Sequence, residues 1–208
     1  MRRTFINHLT ELAKENKNIF LLVGDVGYNV VEKFENYFPD RFLNVGVAEQ
    51  NMTSIAAGLA SEGYHVFTYS IANFPTFRCA EQIRNDIDYH NLPVTVVSVG
   101  GGVGYGNLGY SHHAIQDYGL IRMMPNFKIA SPGDLNEVIG VLNYLTNNPQ
   151  PSYLRLGINN ENKFTVNKKN IVPGKWYPLP SNKGREDVVL STGTSLKWIM
   201  NNIERFKN

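Results

Sequence analysis

From Arg3 to Lys14 the apolar residues Phe5, Ile6, Leu9, Leu12 and Ala13 recur at helical spacing, and the run Ile19-Phe20-Leu21-Leu22-Val23 that follows has the length of a buried strand. The same pairing of signals repeats along the chain. Phe42 to Val45 predicts a second strand, and from about Ala48 a segment rich in Ala and Met predicts a helix, packed close to a neighbour, that stops at Gly63. His65 to Tyr69 reads as a strand, Phe77 to Tyr89 as a helix, and Val94 to Val99 as a central strand because it is mostly apolar or β-branched. A glycine-rich loop, Gly100 to Gly109, leads to a helix over about Ala114–Met123 and a strand over Phe127–Ala130. Ser131-Pro132-Gly133-Asp134 predicts a helix start with Ser131 as N-cap and Pro132 at the first helical position, running to about Leu145. Pro151 to Leu156 gives a last strand of this series. Strands alternating with helices predict an α/β fold: a mostly parallel sheet with helices on both faces and functional loops at the strands' C-terminal ends.

The pattern changes after Gly157. Asn and Lys become frequent and periodic apolar positions scarce between Asn159 and Arg185, which reads as a linker along a surface. Asp187 to Ser191 then predicts one more strand, and Ser195 to Phe206 one more helix. The expected organisation is a domain over 1–157, a linker over 158–186 and a short strand–helix unit over 187–208.

Composition narrows the function classes. Of 208 residues, 42% are hydrophobic and 18% charged, enough apolar material for a core and too little charge for a disordered chain. A net charge of +2 supplies no broad basic field, so nucleic acid is not an expected partner. The longest apolar runs are strand-length, so no membrane span is expected. Asn7, His8, Glu11 and Lys14 interrupt any signal-peptide core. Cys79, the one cysteine, points to a reducing compartment and a cytoplasmic location.

Several residues invite chemistry, each with a plain alternative. Gly104-Tyr105-Gly106-Asn107-Leu108-Gly109 matches the dinucleotide pattern GxGxxG after a strand, but Tyr110, Ser111 and two histidines separate it from the next helix. A loop whose glycines let backbone approach a ligand is the alternative. No phosphate-binding P-loop motif occurs. His112 and His113 with Asp117 fall short of a metal set, because adjacent histidines point apart and a single carboxylate is nearby. Glu49 falls in the first turn of the Ala-rich helix, either as an acid favoured by the helix dipole or as a site residue. Asp25 follows the first strand as a turn former or a site acid, and Phe74 and Phe77 are a core pair or an aromatic wall.

Taken in order, Leu22-Val23-Gly24-Asp25, Asn44 through Met52, Ala56-Ala57-Gly58-Leu59-Ala60, Asn73-Phe74 with Phe77, Gly102-Val103-Gly104, Ser111-His112-His113, Ser131 through Asp134 and Pro151 through Arg155 resemble the pyrimidine-binding domain of transketolase-like thiamine diphosphate enzymes. The resemblance covers about residues 3 to 157, and the last strand and helix look like the beginning of the family's third domain, cut short.

That resemblance implies specific roles. The glutamate at the position of Glu49 bonds a ring nitrogen of the cofactor's aminopyrimidine, sharing a proton so that the exocyclic nitrogen becomes a base. Phe74 stacks on the pyrimidine and Phe77 extends the wall, while Ile71 stands where transketolases often have a further aromatic. Asp25 is a supporting acid near the cofactor. His112 reaches a substrate oxygen, with His113 a weaker candidate beside it, and Arg155 matches a phosphate-holding arginine of deoxyxylulose phosphate synthases. No residue here is implied as a metal ligand. The Gly-Asp-Gly segment that holds Mg2+ and the diphosphate is absent, so the resemblance implies a split enzyme: this chain is the C-terminal subunit and a separate N-terminal, diphosphate-binding subunit completes the site, in an α2β2 assembly. The implied reaction is two-carbon ketol transfer from a ketose to an aldose, on a sugar or sugar phosphate. The beta subunit of a 2-oxo acid dehydrogenase's decarboxylating component, a deoxyxylulose phosphate synthase-like fragment and a non-catalytic scaffold are the alternatives.

Overall fold

A computed structural model describes residues 1–158, 163–165, 171–179 and 188–206. Six strands form one parallel sheet: β1 (Ile19–Val23), β2 (Phe42–Asn44), β3 (His65–Ile71), β4 (Val94–Val99), β5 (Lys128–Ala130) and β6 (Ser152–Leu156), in the order β2-β1-β3-β4-β6-β5. The central strands are buried on both faces, which is why they read as nearly continuous apolar runs. Period-two alternation sorts their side chains into two cores. Leu21, Val23, Phe67, Tyr69, Val97, Val99, Leu154 and Leu156 face helices α1 (Arg2–Glu15) and α6 (Leu135–Asn147). Leu22, Val66, Val94, Val96 and Tyr153 face α3 (Glu49–Ser61) and α4 (77–88). Ala56, Ala57 and Ala60 are the small residues that bring α3 close to the sheet.

Departures from the expected elements have local causes. A short helix α2 (Glu32–Tyr37) and a turn at Pro39–Arg41 precede β2; two turns carry too few apolar positions to show periodicity, and Phe34 alone is buried. Arg41 fixes this connection by donating to the carbonyls of Ala13 (2.9 Å) and Asn16 (3.0 Å) at the end of α1. The helix expected over Phe77–Tyr89 forms, but as a 3-10 turn (Phe77–Cys79), one α turn and a π segment (Ile83–Asp88). The helix expected over Ala114–Met123 shortens to α5 (Asp117–Ile121), because Ala114 bridges back to Gly102.

Ser131 is not the N-cap of α6. Asp134 is: its Oδ1 accepts from Glu137 N (2.8 Å) and Glu137 Oε2 accepts from Gly133 N (2.7 Å), a reciprocal cap that Pro132 merely precedes. Asp134 also accepts from the backbone of Phe164 and Thr165, which ties that part of the expected linker to the domain. The strand expected over Asp187–Ser191 is not formed by the described residues 188–191; among the described residues no strand lies beside them to complete a ladder, and Asp187 lies outside that set. The final helix α7 (Ser195–Asn201), followed by a turn at Ile203–Phe206, docks Leu196 against Gly133.

Two features away from the sheet's C-terminal edge carry testable consequences. At the amino ends of β3, β4 and β6, His65 Nε2, Thr95 Oγ1 and Ser152 Oγ form a buried chain with spacings of 2.9 and 2.8 Å. His65 is 3% exposed, and burial pushes its pKa down to about 4. The unfolded chain binds a proton near pH 6.5 and the folded chain does not until about pH 4, so stability is full above pH 6.5 and falls by up to about 1.4 kcal/mol per pH unit below it. Urea titrations at pH 7.5 and pH 5 show this loss, and His65→Gln removes its share of the slope.

Where β4 ends, Gly100 adopts φ +84° beneath the Tyr105 ring, and Gly101 lies directly on the Arg155 guanidinium, leaving no room for a Cβ. Gly101→Ala therefore destabilises the fold by about 2 kcal/mol or more through overpacking, read as a lower urea midpoint.

Candidate active site

The connection from β1 to β2 runs to one side of β1, while β3 pairs on its other side. That reversal opens a crevice beyond the C-terminal ends of β1 and β3, the place where open α/β sheets hold ligands. Gly24 closes its floor: a Cβ there would lie 3.3 Å from Ser70 Oγ and 3.4 Å from Glu49 Cγ.

Glu49 is the first residue of α3 and is 1% exposed. An isolated carboxylate is costly at such depth, and two donors answer it. Ser70 Oγ, at the end of β3, donates to Oε1 (3.1 Å), and Arg78 Nη1 donates to Oε2 (2.7 Å) as an ion pair. Arg78 is 43% exposed and its Cζ lies 4.6 Å from the Phe74 ring centroid, so one guanidinium bridges the buried acid and an aromatic face.

Phe74 sits on the tight turn that follows β3, fixed by Phe74 N donating to Ile71 O (2.8 Å) and Thr76 Oγ1 donating to Ala72 O (2.9 Å). Asn73 Nδ2 donates to Ser111 O (2.8 Å), tying this turn to the loop after β4. His112 is thereby held edge-on to Phe74, with ring centroids 5.1 Å apart, and its Nδ1 lies 3.0 Å from Ser111 Oγ. Residues 29 and 38 apart in sequence thus meet in one cleft: a buried acid at the base, a phenyl wall, a cation across it and an imidazole at the mouth.

The other expected residues lie elsewhere in the geometry. Phe77 is 43% exposed on the rim. Asp25, at φ +51°, caps the end of β1, its Oδ1 accepting from Asn44 Nδ2 (3.1 Å) and Tyr28 OH (3.0 Å). His113 closes its own loop through Gly106 O (2.8 Å). Arg155 lies below Gly101; its Nε pairs with Asp117 Oδ2 at 2.8 Å and its Nη2 donates to Ala114 O at 2.6 Å. Asp117, wholly buried, also accepts from Tyr153 OH (2.6 Å), so it is committed to the fold rather than to a metal. The Gly104–Gly109 segment forms a 3-10 turn and does not open into a helix, unlike a dinucleotide fingerprint.

Among the described residues no group of three His, Cys, Asp or Glu side chains is placed to hold a metal, and no helix is long and apolar enough to cross a membrane. Cys79 is buried with its thiol pushed up to about 11 by desolvation, which leaves it unreactive near neutral pH. Ser70, Arg78 and Asn73 belong to the site although no motif marks them. Asking which cation answers a glutamate that must be buried is the sequence question that leads to Arg78.

Comparison with known proteins agrees with this geometry. The family described as "Transketolase, pyrimidine binding domain" matches residues 1–161. One of the two subunits of an apulose-4-phosphate transketolase of Phocaeicola vulgatus is 35% identical over 157 residues, 75% of this chain and 50% of the relative. A "Putative transketolase C-terminal section" of Methanocaldococcus jannaschii is 36% identical over the same shares. The chain thus spans about half the length of these curated relatives. Among solved structures, a "Split gene transketolase, inactive beta4 tetramer" aligns with a TM-score of 0.74 and 32% identity over 84% of this chain and 56% of its own. A parallel α/β sheet with a buried glutamate at its switch point, and relatives of this similarity, place the chain in one family: it belongs to the transketolase pyrimidine-binding domains.

Proposed function

We propose that this chain is the pyrimidine-binding subunit of a split, thiamine diphosphate-dependent transketolase, moving a two-carbon ketol unit from a ketose to an aldose. The observation that carries the reading is Glu49: a carboxylate almost out of water, at the head of α3, facing an aromatic ring across which a flat cation already lies. A planar, hydrogen-bonding cation on Phe74 and Glu49 is the pattern an aminopyrimidine needs, so the residues present fit that half of the cofactor. When bound, thiamine diphosphate supplies a nucleophilic carbon that breaks and remakes the carbon–carbon bond.

The chain's own residues do the rest. Glu49 shares a proton with the ring nitrogen, and Ser70 holds its other oxygen in place. Phe74 orients the ring by stacking, with Phe77 at the edge of the wall and Asp25 shaping the end of β1. His112, its Nδ1 against Ser111 Oγ, presents Nε2 toward the cleft to orient a substrate oxygen and move its proton. His113 and Arg155 serve by fixing the loops on either side of it.

The diphosphate and Mg2+ fall to an N-terminal partner subunit, in an α2β2 assembly in the cytoplasm. The domain ends near residue 157, with 158–186 as linker and 187–208 as a truncated third-domain start. Relatives described by apulose-4-phosphate and, in Clostridium sp. at 28% identity, by 6-deoxy-6-sulfo-D-fructose favour an unusual sugar or sugar phosphate as substrate. A deoxyxylulose phosphate synthase-like activity is the second reading, favoured by a synthase of Desulfotalea psychrophila at 36% identity over 148 residues.

Mixing the chain with its partner subunit, thiamine diphosphate and Mg2+ is expected to give ketol transfer that Glu49→Gln lowers by about 10²–10⁴-fold, the range of a positioned acid–base group. Activity within tenfold of wild type in Glu49→Gln overturns the assignment, and consumption of pyruvate as donor favours the synthase.

A further inference from the structure

Arg78 makes the two contacts that the cofactor reading assigns to a bound ring. Its guanidinium reaches Glu49 Oε2 at 2.7 Å and stands 4.6 Å from the centre of the Phe74 ring. A guanidinium is flat, cationic and edged with N–H donors, and it stacks on aromatic faces. An aminopyrimidine is flat, basic and edged with nitrogens. Both cannot occupy the same carboxylate oxygen and the same phenyl face. We infer that Arg78 is a built-in occupant of the pyrimidine slot, holding Glu49 and covering Phe74 until an aminopyrimidine displaces it.

The surroundings allow one partner to move and not the other. Glu49 is locked: it begins α3, its carbonyl accepts from Thr53 Oγ1 (2.8 Å), and Gly24 closes on its side chain. Arg78 is 43% exposed and extends from the short turn Phe77–Cys79, so its side chain can swing into solvent with the backbone unchanged. Ser70 stays on Oε1 in either state. Ring binding is then an exchange of partners on a carboxylate that never loses both. Without Arg78 the empty site would keep a buried charge answered by a hydroxyl alone, which is destabilising.

The inference rests on the cofactor reading but concerns competition rather than catalysis, so binding to the full-length chain tests it. With Arg78 seated, apparent affinity is reduced by the fraction of molecules in which it is open. The probe is 4-amino-5-hydroxymethyl-2-methylpyrimidine, titrated by calorimetry. Arg78→Met is expected to bind it at least tenfold more tightly than wild type, to melt at lower temperature without it and to recover with it. Adding Glu49→Gln to Arg78→Met abolishes the gain. Arg78→Lys, which keeps the charge but cannot lie flat across both groups, shows a smaller gain and carries the test if the Met variant fails to fold.

Equal or weaker binding by folded Arg78 variants overturns the inference. No binding by any form also overturns it. If Glu49-dependent ketol transfer by the partnered complex survives that result, the functional reading stands alone; if such transfer is absent as well, both readings fall.

Discussion

Burying a carboxylate costs several kcal/mol unless donors replace the water it loses, and the end of the sheet is organised around meeting that cost at Glu49. The residue has to be deep, because it heads a helix whose alanines pack closely on the sheet. Its depth then dictates its neighbours: a hydroxyl from the end of β3, a backbone with no Cβ at the end of β1, and a cation reaching in from the rim. The turn that carries Phe74 is placed by the same strand that carries Ser70. One buried charge therefore fixes the relative positions of three chain segments.

A second polar anchor sits under the loop that carries His112. Asp117 is held by Arg155 and Tyr153, and Gly101 lays the chain across the guanidinium. The two anchors share a logic, since in each a buried acid is satisfied by an arginine stacked on an aromatic ring, Phe74 in one case and Tyr118 in the other. They differ in exposure. The Arg155 side chain is 16% exposed and structural, whereas Arg78 opens to solvent at 43%, which separates a fixed joint from a movable one.

How much of this is legible in the sequence follows from what each signal depends on. Ile19–Val23 and Val94–Val99 are legible to the residue because strands buried on both faces leave unbroken apolar runs. Helix α2 is not, since two turns with one buried phenylalanine have no periodicity to detect. The start of α6 shifts from its expected place because Ser131 and Pro132 have the right chemistry for a cap, while the choice of Asp134 depends on its contacts with Glu137, Phe164 and Thr165. In the site, Glu49, Phe74 and His112 are marked by motif and do share one cleft with Arg78. Ser70 and Arg78 enter only through the three-dimensional demand of the buried acid. His113 and Arg155 have the right chemistry for a ligand, yet backbone and side-chain partners within the fold engage them.

The hydrogen bond from Asn73 to the Ser111 carbonyl joins the wall that would face a cofactor to the loop that would face a sugar. The stretch from Gly104 to Tyr110 lies on the far side of that joint. Insertions or substitutions there can reshape the mouth of the cleft while the imidazole and the phenyl ring keep their mutual angle. An enzyme built this way can exchange one acceptor for another over evolutionary time without rebuilding the part of the cleft that handles the cofactor.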